Sequence, residues 1–218
     1  MKILIACEES QRVCIEFRRK GHEAYSCDII DCSGGHPEWH IKQDVIPLLN
    51  GNCTFKTVDG IEHSISGKWD MIIGHPPCTY LSSAGSSCLF HSNHTIKNTE
   101  RCRKGILAKD FFMTILNADC DRIIVENPAP IKFFNLPQYN QIIEPYMFGD
   151  PWKKRTCLWI KGVPLLRPTH IVEPTSCWVE TNGRTCRTKL RGAKGARTAK
   201  ERSKTFPGIA RAMADQWG

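Results

Sequence analysis

A cysteine that follows two prolines is the residue of this chain best suited to nucleophilic chemistry. Residues 74–78 read Gly-His-Pro-Pro-Cys and come directly after an apolar run typical of a buried strand. Because proline fixes its own backbone, the thiol of Cys78 is presented at a defined place. A thiolate can form a covalent intermediate. Most of the twelve cysteines are expected to be inert, and the position after a strand end sets Cys78 apart.

Acidic residues follow other predicted strands in the same way. Glu8 comes after the first strand, and Asp28, Asp44 and Glu126 come after later ones. In an open α/β sheet, ligands bind beyond the carboxyl ends of the strands. A thiol and several carboxylates therefore converge on one edge of one sheet, which predicts a catalytic or binding site there.

These residues lie on a predicted alternation of strands and helices. Short apolar runs predict strands over residues 2–7, 22–27, 71–74, 122–125, 142–146 and 156–160. Apolar side chains at helical spacing predict helices over residues 11–20, 100–118 and 207–217, the last with proline in its first turn. Strand, helix and strand within the first 28 residues open a βαβ unit. We therefore expect an α/β, Rossmann-like fold with a mostly parallel sheet.

The domain organisation follows from the segments that depart from this alternation. Asp59-Gly60 between two short strands predicts a hairpin over about residues 51–68, inserted in a catalytic and cofactor-binding α/β domain of residues 1–165. Residues 82–99 are rich in Ser, Asn and His, and loops of that length are usually functional or disordered. A small basic segment of residues 166–204 precedes a last helix of residues 205–218 that returns to the first domain.

Positive charge is concentrated near the C-terminus. The 218-residue chain has a formal net charge of +8, and ten Lys or Arg between Arg184 and Arg211 stand against one acid, Glu201. A localised basic stretch suggests a polyanionic partner, most simply nucleic acid. The alternative is a solvated segment without a partner, since charge alone carries no sequence information.

Targeting signals are not evident in the sequence. No apolar run approaches the roughly 20 residues that span a bilayer, and the apolar N-terminus is too short for a signal-peptide core. We expect a cytoplasmic protein whose cysteines are reduced. Two groups are loosely zinc-like in spacing: Cys27, Cys32, His36 and His40, and His170, Cys177 and Cys186. Unliganded, reduced thiols are the interpretation we adopt for both, so no metal is expected.

Four segments, in order along the chain, resemble the DNA cytosine-C5 methyltransferases. Residues 74–82, Gly-His-Pro-Pro-Cys-Thr-Tyr-Leu-Ser, resemble that family's catalytic loop, Gly-Gly-Pro-Pro-Cys-Gln followed by a small residue, an aromatic and Ser. Residues 126–128, Glu-Asn-Pro, are similar to its Glu-Asn-Val. Residues 146–160 look like its Tyr-Gly-Val-Pro-Gln-Arg-Arg segment running into a strand, and residues 206–212 resemble its last helix.

The resemblance implies a covalent mechanism on cytosine in DNA. Attack of the Cys78 thiolate on carbon 6 would make carbon 5 nucleophilic, and Glu126 would hold a proton on ring nitrogen 3. Arg155, with Lys154, would steady the base carbonyl, and the target base must first leave the duplex stack. The implied catalytic residues are Cys78, Glu126, Asn127, Lys154 and Arg155. The implied nucleic-acid-binding residues are Ser82, Arg184, Arg187, Lys189, Arg191 and Lys194.

The resemblance also implies S-adenosylmethionine as methyl donor. Asp28 matches the acid expected on the ribose hydroxyls, and Asp44 matches the acid expected near the adenine amine. The implied cofactor-binding residues are Ala6, Cys7, Glu8, Asp28, Ile29, Asp44 and Pro76. The family's first strand ends in Phe-x-Gly-x-Gly-Gly, whereas residues 6–11 here read Ala-Cys-Glu-Glu-Ser-Gln.

Further departures from the family pattern leave alternatives open. Thr79 replaces the family's Gln, and the target-recognition region is reduced to about residues 162–204. One alternative is methylation of a free pyrimidine nucleotide. Another is a catalytically inactive methyltransferase-like DNA-binding protein. An amino-methyltransferase fits less well, because its loop reads Asp/Asn-Pro-Pro-Tyr where residues 75–78 read His-Pro-Pro-Cys.

Overall fold

The computed structural model describes residues 1–177 and 198–218, which fold as a mixed α/β structure. The strands are β1 (Lys2–Ala6), β2 (Glu23–Asp28), β3 (His40–Lys42), β4 (Cys53–Lys56), β5 (Glu62–Ile65), β6 (Met71–Gly74), β7 (Ile123–Asn127), β8 (Gln141–Ile143), β9 (Trp152–Lys153), β10 (Thr156–Lys161) and β11 (Ser176–Cys177). The helices are α1 (Arg12–Arg19), α2 (Ser86–Leu89), α3 (Thr99–Leu116), α4 (Ala199–Ser203) and α5 (Pro207–Trp217).

A central sheet of seven strands organises the molecule, in the order β3-β2-β1-β6-β7-β10-β8. Strands β3, β2, β1, β6 and β7 are parallel, and β10 runs antiparallel to both of its neighbours. The expected α/β fold with a mostly parallel sheet is confirmed, and it is compatible with a Rossmann-like fold. The strand order reverses between β1 and β6, which is where open α/β sheets bind ligands.

Side chains of the sheet alternate between two apolar layers, as the two-residue period of a strand requires. Leu4 of β1 belongs to one layer together with Phe112 of α3. Ile5 belongs to the other layer, together with Phe17 of α1 and Trp217 of α5. Helices therefore cover both faces of the sheet. Its carboxyl edge, which carries the predicted site, is shaped by loops.

Some elements differ from the sequence-based expectation for local reasons. Strand β8 is shorter than the predicted 142–146, because Pro145 has no backbone N–H and begins the 3-10 turn Pro145–Met147. Strands β4 and β5 form an antiparallel hairpin whose turn contains Gly60 at a φ of 87°. Within residues 82–99 the chain forms a 3-10 turn and helix α2. None of the helices in the described ranges is long and apolar enough to cross a membrane.

We predict that Phe112 contributes strongly to the packing of helix α3 against the sheet. Its side chain is fully buried, and its ring lies 4.9 Å from that of Trp159 in an edge-to-face arrangement. Phe112→Ala should lower the free energy of unfolding by about 3–5 kcal/mol, because it removes apolar contacts and leaves a cavity. Leu107→Ala, on the same helix but 54% exposed, should cost about 0.5 kcal/mol or less. Urea denaturation of both variants tests this, and equal losses would contradict the packing described.

Candidate active site at the carboxyl edge of the sheet

The loop after β1 makes a tight turn without the expected glycines. Cys7 and Gln11 adopt left-handed φ angles of 60° and 57°, which disfavour non-glycine residues by about 1–2 kcal/mol each. Gln11 is fully buried, and its side chain makes two hydrogen bonds to the backbone of His36, at 2.8 and 3.1 Å. These bonds hold the turn, so side-chain anchoring replaces the conformational freedom of glycine.

Glu8 turns inward from this loop towards helix α1. Its Oε1 accepts a hydrogen bond from the backbone N–H of Val13 at 2.7 Å, and its Oε2 accepts one from Cys14 at 3.2 Å. A carboxylate is favourable at a helix N-terminus. Burial raises the pKa of Glu8 to about 7, although the charge of His75 and the two backbone bonds oppose the shift. Glu8, predicted to bind cofactor, is thus engaged with α1 and His75.

Asp28 and Asp44 surround the end of β1. Burial raises the pKa of the Cys7 thiol, and the charges of Asp28 and Asp44 raise it further, so both acids lie within electrostatic reach of Cys7. Each carboxylate accepts a hydrogen bond from the backbone N–H two residues later, at 3.3 and 3.0 Å. Ile29, next to Asp28, leaves 73% of its surface exposed. The end of β1 is therefore flanked by two acids and an uncovered apolar side chain.

Backbone contacts align the end of β6 with its neighbours on both sides. The N–H of His75 donates to the carbonyl of Ala6 at 2.9 Å. The side-chain Nδ2 of Asn127 donates to the carbonyl of Pro76 at 3.1 Å. Asn127, predicted as catalytic, thus ties the end of β7 to the loop after β6, and it is itself almost completely buried.

Cys78 begins a turn just beyond these contacts. Its carbonyl accepts hydrogen bonds from the backbone N–H groups of Leu81 and Ser82, at 3.1 and 2.9 Å. Burial raises the pKa of the Cys78 thiol; the positive charge of Lys154 opposes this shift and the negative charge of Glu126 reinforces it. The thiol is therefore protonated at neutral pH in the ligand-free protein, and Lys154 is the neighbour that most favours the thiolate.

The segments that follow Cys78 and Glu126 are hydrogen-bonded to each other. Ser82 and Pro130 form an antiparallel bridge. The N–H of Ser83 donates to the carbonyl of Ala129 at 2.8 Å, and the N–H of Ile131 donates to that of Leu81 at 2.7 Å. These backbone bonds join residues 81–83 to residues 129–131, so they hold together the two segments that follow Cys78 and Glu126.

Glu126 lies in a buried cluster with groups from three other segments. Nδ1 of His75 lies 2.9 Å from its Oε2, and Oγ1 of Thr205 donates to the same oxygen at 3.5 Å. Burial by itself would raise the pKa of Glu126, but the charge of Lys154 and the hydrogen bond and charge of His75 outweigh it and hold the pKa at about 2. Glu126 is therefore ionised in the ligand-free protein.

The two neighbouring basic residues differ in their surroundings. Lys154 is half-buried, acts electrostatically on Cys78, His75 and Glu126, and has its Nζ 6.0 Å from the centre of the Phe206 ring. Arg155 is exposed, and its charge acts on Glu144 and Cys157 instead. The structure brings Lys154 to Cys78 and Glu126, and it directs the charge of Arg155 elsewhere.

The predicted nucleic-acid-binding residues are only partly described. Ser82 caps the 3-10 turn Ser83–Gly85 by accepting a hydrogen bond from the N–H of Ala84 at 3.3 Å. Arg184, Arg187, Lys189, Arg191 and Lys194 lie outside the described residues. Among the described basic residues, Arg202 acts electrostatically on Cys78, and Lys204 donates to Oγ of Ser33 at 3.1 Å. Positive charge therefore reaches the site from the segment before α5.

Sequence reasoning did not find His75 and Thr205. His75 had a detectable signal, because it stands where the family pattern has glycine and so adds a titratable ring to the site. Thr205 had none, since it is a polar residue that precedes the last helix and meets Glu126 only after folding. Neither a helix nor a strand period predicts contacts across such distances along the chain.

No cluster of three or more metal-ligating side chains occurs among residues 1–177 and 198–218. His40 instead bonds Oγ of Ser26 through Nδ1, and Cys27 donates to the carbonyl of Gln43. Cys177 is disulfide-bonded, which corrects the expectation of a reduced thiol at this position. That expectation came from cellular compartment, and disulfide connectivity cannot be deduced from spacing. Cys186 lies outside the described residues.

Comparison with known proteins gives no family assignment. No family model matches the chain, and no curated protein matches it at a significant level. Function must therefore be inferred from the geometry of the sheet edge and from the motif resemblance.

We predict that ionisation of Glu8 destabilises the protein. Between the ordinary carboxyl pKa of 4.5 and about 7, the folded state keeps a proton that the unfolded state has already lost. The free energy of unfolding should therefore fall as pH rises through this window, by on the order of 1–3 kcal/mol. Glu8→Gln, which stays neutral, should fall less over the same range. Urea denaturation between pH 5 and pH 8 measures the difference.

The matched control for this prediction is Glu62→Gln, at an exposed position on β5. Its pH dependence should follow that of wild type. Parallel curves for Glu8→Gln and wild type would show that Glu8 does not keep its proton in the folded state.

Proposed function

We propose that this protein transfers a methyl group from S-adenosylmethionine to carbon 5 of cytosine in DNA, through a covalent adduct of Cys78. The observation that supports it most is the closeness of Cys78 and Glu126 at the ends of adjacent strands. The segments that follow them are joined by the Ser82–Pro130 bridge, and both residues feel the charge of Lys154. A thiol, a carboxylate and an ammonium group in that arrangement suit addition to an electron-poor ring.

The cofactor half of the proposal is supported by the end of β1 and β2. The acids Asp28 and Asp44 could accept hydrogen bonds from ribose hydroxyls and an adenine amine, and the exposed face of Ile29 could cover an aromatic ring. The donor carries no phosphate, so the turn at residues 7–11 does not need a glycine cradle. Bound there, S-adenosylmethionine would supply an electrophilic methyl group.

In the proposed cycle, Cys78 first loses its proton to solvent, a step that Lys154 favours. The Sγ–carbon 6 bond then forms, and the displaced ring electrons are neutralised by a proton relayed to nitrogen 3 through Glu126, whose carboxylate is ionised beforehand. Carbon 5, now nucleophilic, takes the methyl group and releases its own proton to solvent. Nitrogen 3 returns its proton to Glu126, the carbon 6–sulfur bond breaks, and Cys78 leaves as the thiolate.

Lys154 is better placed than Arg155 to contact the substrate base in this proposal. Its ammonium group already acts on both the thiol and the carboxylate, so it is suited to steady the carbonyl of a base held between them. In the ligand-free arrangement Arg155 is exposed and is suited to a phosphate. We therefore assign the carbonyl contact to Lys154.

DNA is the proposed partner because of charge. The net charge of +8 is concentrated towards the C-terminus, and Arg202 brings part of it to Cys78. Phosphate contacts supply affinity without sequence information. The target cytosine would have to leave the stack to reach a half-buried thiol.

We predict that DNA containing 5-fluorocytosine traps the protein covalently. Cys78 can leave only after carbon 5 loses its proton, and fluorine cannot be lost in that way. A complex that survives denaturing gel electrophoresis should form only in the presence of methyl donor. Cys78→Ala should abolish the band, and Glu126→Gln should slow trapping by about 100-fold or more, the contribution of a general acid.

The matched control is Cys88→Ala, at an exposed cysteine of helix α2, which should leave the band unchanged. A wild-type protein that methylates DNA but gives no trapped band on its own target would refute the covalent mechanism and make amino-group methylation the leading account.

A further inference from the structure

A buried histidine lies in the centre of the candidate site. The side chain of His75 is 8% exposed and that of Glu126 is 11% exposed, and the two meet at 2.9 Å. The backbone N–H of His75 is bonded to Ala6, so the ring is held between the ends of β1 and β7. In the resemblance described above this position is glycine, which has no side chain to contribute.

The two ring nitrogens of His75 differ in their hydrogen bonding. Nδ1 pairs with Glu126, whereas the buried Nε2 has no hydrogen-bond partner among the residues described. Unsatisfied buried polar atoms are uncommon in folded proteins and often mark functional positions. The ring is thus paired on the side of Glu126 only.

The charges that face His75 come from three elements. Glu126 at the end of β7 is negative, Glu8 in the loop after β1 is negative once it has lost its proton, and Lys154, just before β10, is positive. Burial lowers the pKa of His75, but the hydrogen bond and charge of Glu126 and the charge of Glu8 outweigh burial and Lys154, so the pKa is raised. The 2.9 Å contact and these charges favour the imidazolium–carboxylate form of the pair.

This arrangement leaves the proposed reaction without a proton on its acid. Glu126 is ionised, yet nitrogen 3 of the base must be protonated as Cys78 bonds to carbon 6. Nδ1 of His75 lies 2.9 Å from the carboxylate, within reach to donate a proton to it.

We propose that His75 is a positioning residue that orients Glu126 and stores the proton it delivers. The inference rests on the proposed function. As nitrogen 3 gains a proton from Glu126, the proton on Nδ1 moves to the carboxylate, and the ring becomes neutral. When Cys78 leaves, nitrogen 3 loses its proton to Glu126 and the imidazolium is restored, so the cycle neither consumes nor creates a proton at this pair.

The test compares pH profiles of kcat for methyl transfer to DNA in wild type and His75→Gln. Glutamine keeps an N–H donor for Glu126 but cannot store a proton. Relative to the rise that ionisation of Cys78 causes in both proteins, wild-type kcat should fall as pH rises through the raised pKa of His75. In His75→Gln this alkaline limb should move at least one pH unit lower, with kcat reduced about 10- to 100-fold at pH 8. His91→Gln, at an exposed histidine, should keep the wild-type profile.

The outcomes separate the two proposals. Methyl transfer by wild type with an unchanged alkaline limb in His75→Gln overturns the role of His75 and leaves the proposed function standing. Absence of methyl transfer by wild type overturns the proposed function and, with it, the role of His75. If His75→Gln does not fold, imidazole titration by NMR in wild type decides. A pKa of His75 above the ordinary 6.5 supports the stored proton, and a pKa at or below that value overturns the inference.

Discussion

A carboxylate buried at the carboxyl edge of the sheet must be paired, and the pairing of Glu126 organises the surrounding structure. An isolated buried charge is costly, whereas one that is hydrogen-bonded and faces a counter-charge is tolerated. The partners of Glu126 come from the end of β6, from the segment before β10 and from the segment before α5. Removing either His75 or Lys154 would leave the charge less well compensated, so these segments are expected to move together rather than independently.

The groups around Glu126 also influence whether Cys78 is a thiol or a thiolate. Burial and Glu126 both favour the thiol form of Cys78, whereas the positive charges of Lys154 and Arg202 and a backbone hydrogen bond favour the thiolate. In the proposed function, the protonated thiol of Cys78 would not attack a cytosine ring, so the cysteine would stay unreactive until the substrate binds. A base bound between them would share the charge of Glu126 with ring nitrogen 3 and so relieve the repulsion that holds the proton on sulfur. Reactivity would then depend on occupancy of the site.

The sequence predicted the structure best where reactive side chains lie at the ends of regular apolar runs. The parallel sheet, the bounds of helix α5 and the convergence of Asp28, Cys78 and Glu126 on one edge follow from apolar periodicity and from strand ends. The inward turn of Glu8 onto α1 did not follow, because a carboxylate after a strand can face a ligand or a helix N-terminus with equal ease. The different surroundings of Lys154 and Arg155 depend on how β10 pairs with β7, which no local pattern encodes. The left-handed turn at Cys7 and Gln11 was hidden because the glycines that usually signal it are replaced by side-chain anchoring.

Transfer of a labelled methyl group from S-adenosylmethionine to DNA, followed by digestion to nucleosides, tests the central claim most directly. The account predicts that the label appears in 5-methylcytosine, and that the Cys78→Ala variant gives none. Label in N4-methylcytosine or N6-methyladenine, or no label in DNA with folded, cofactor-bound wild-type protein, would contradict it.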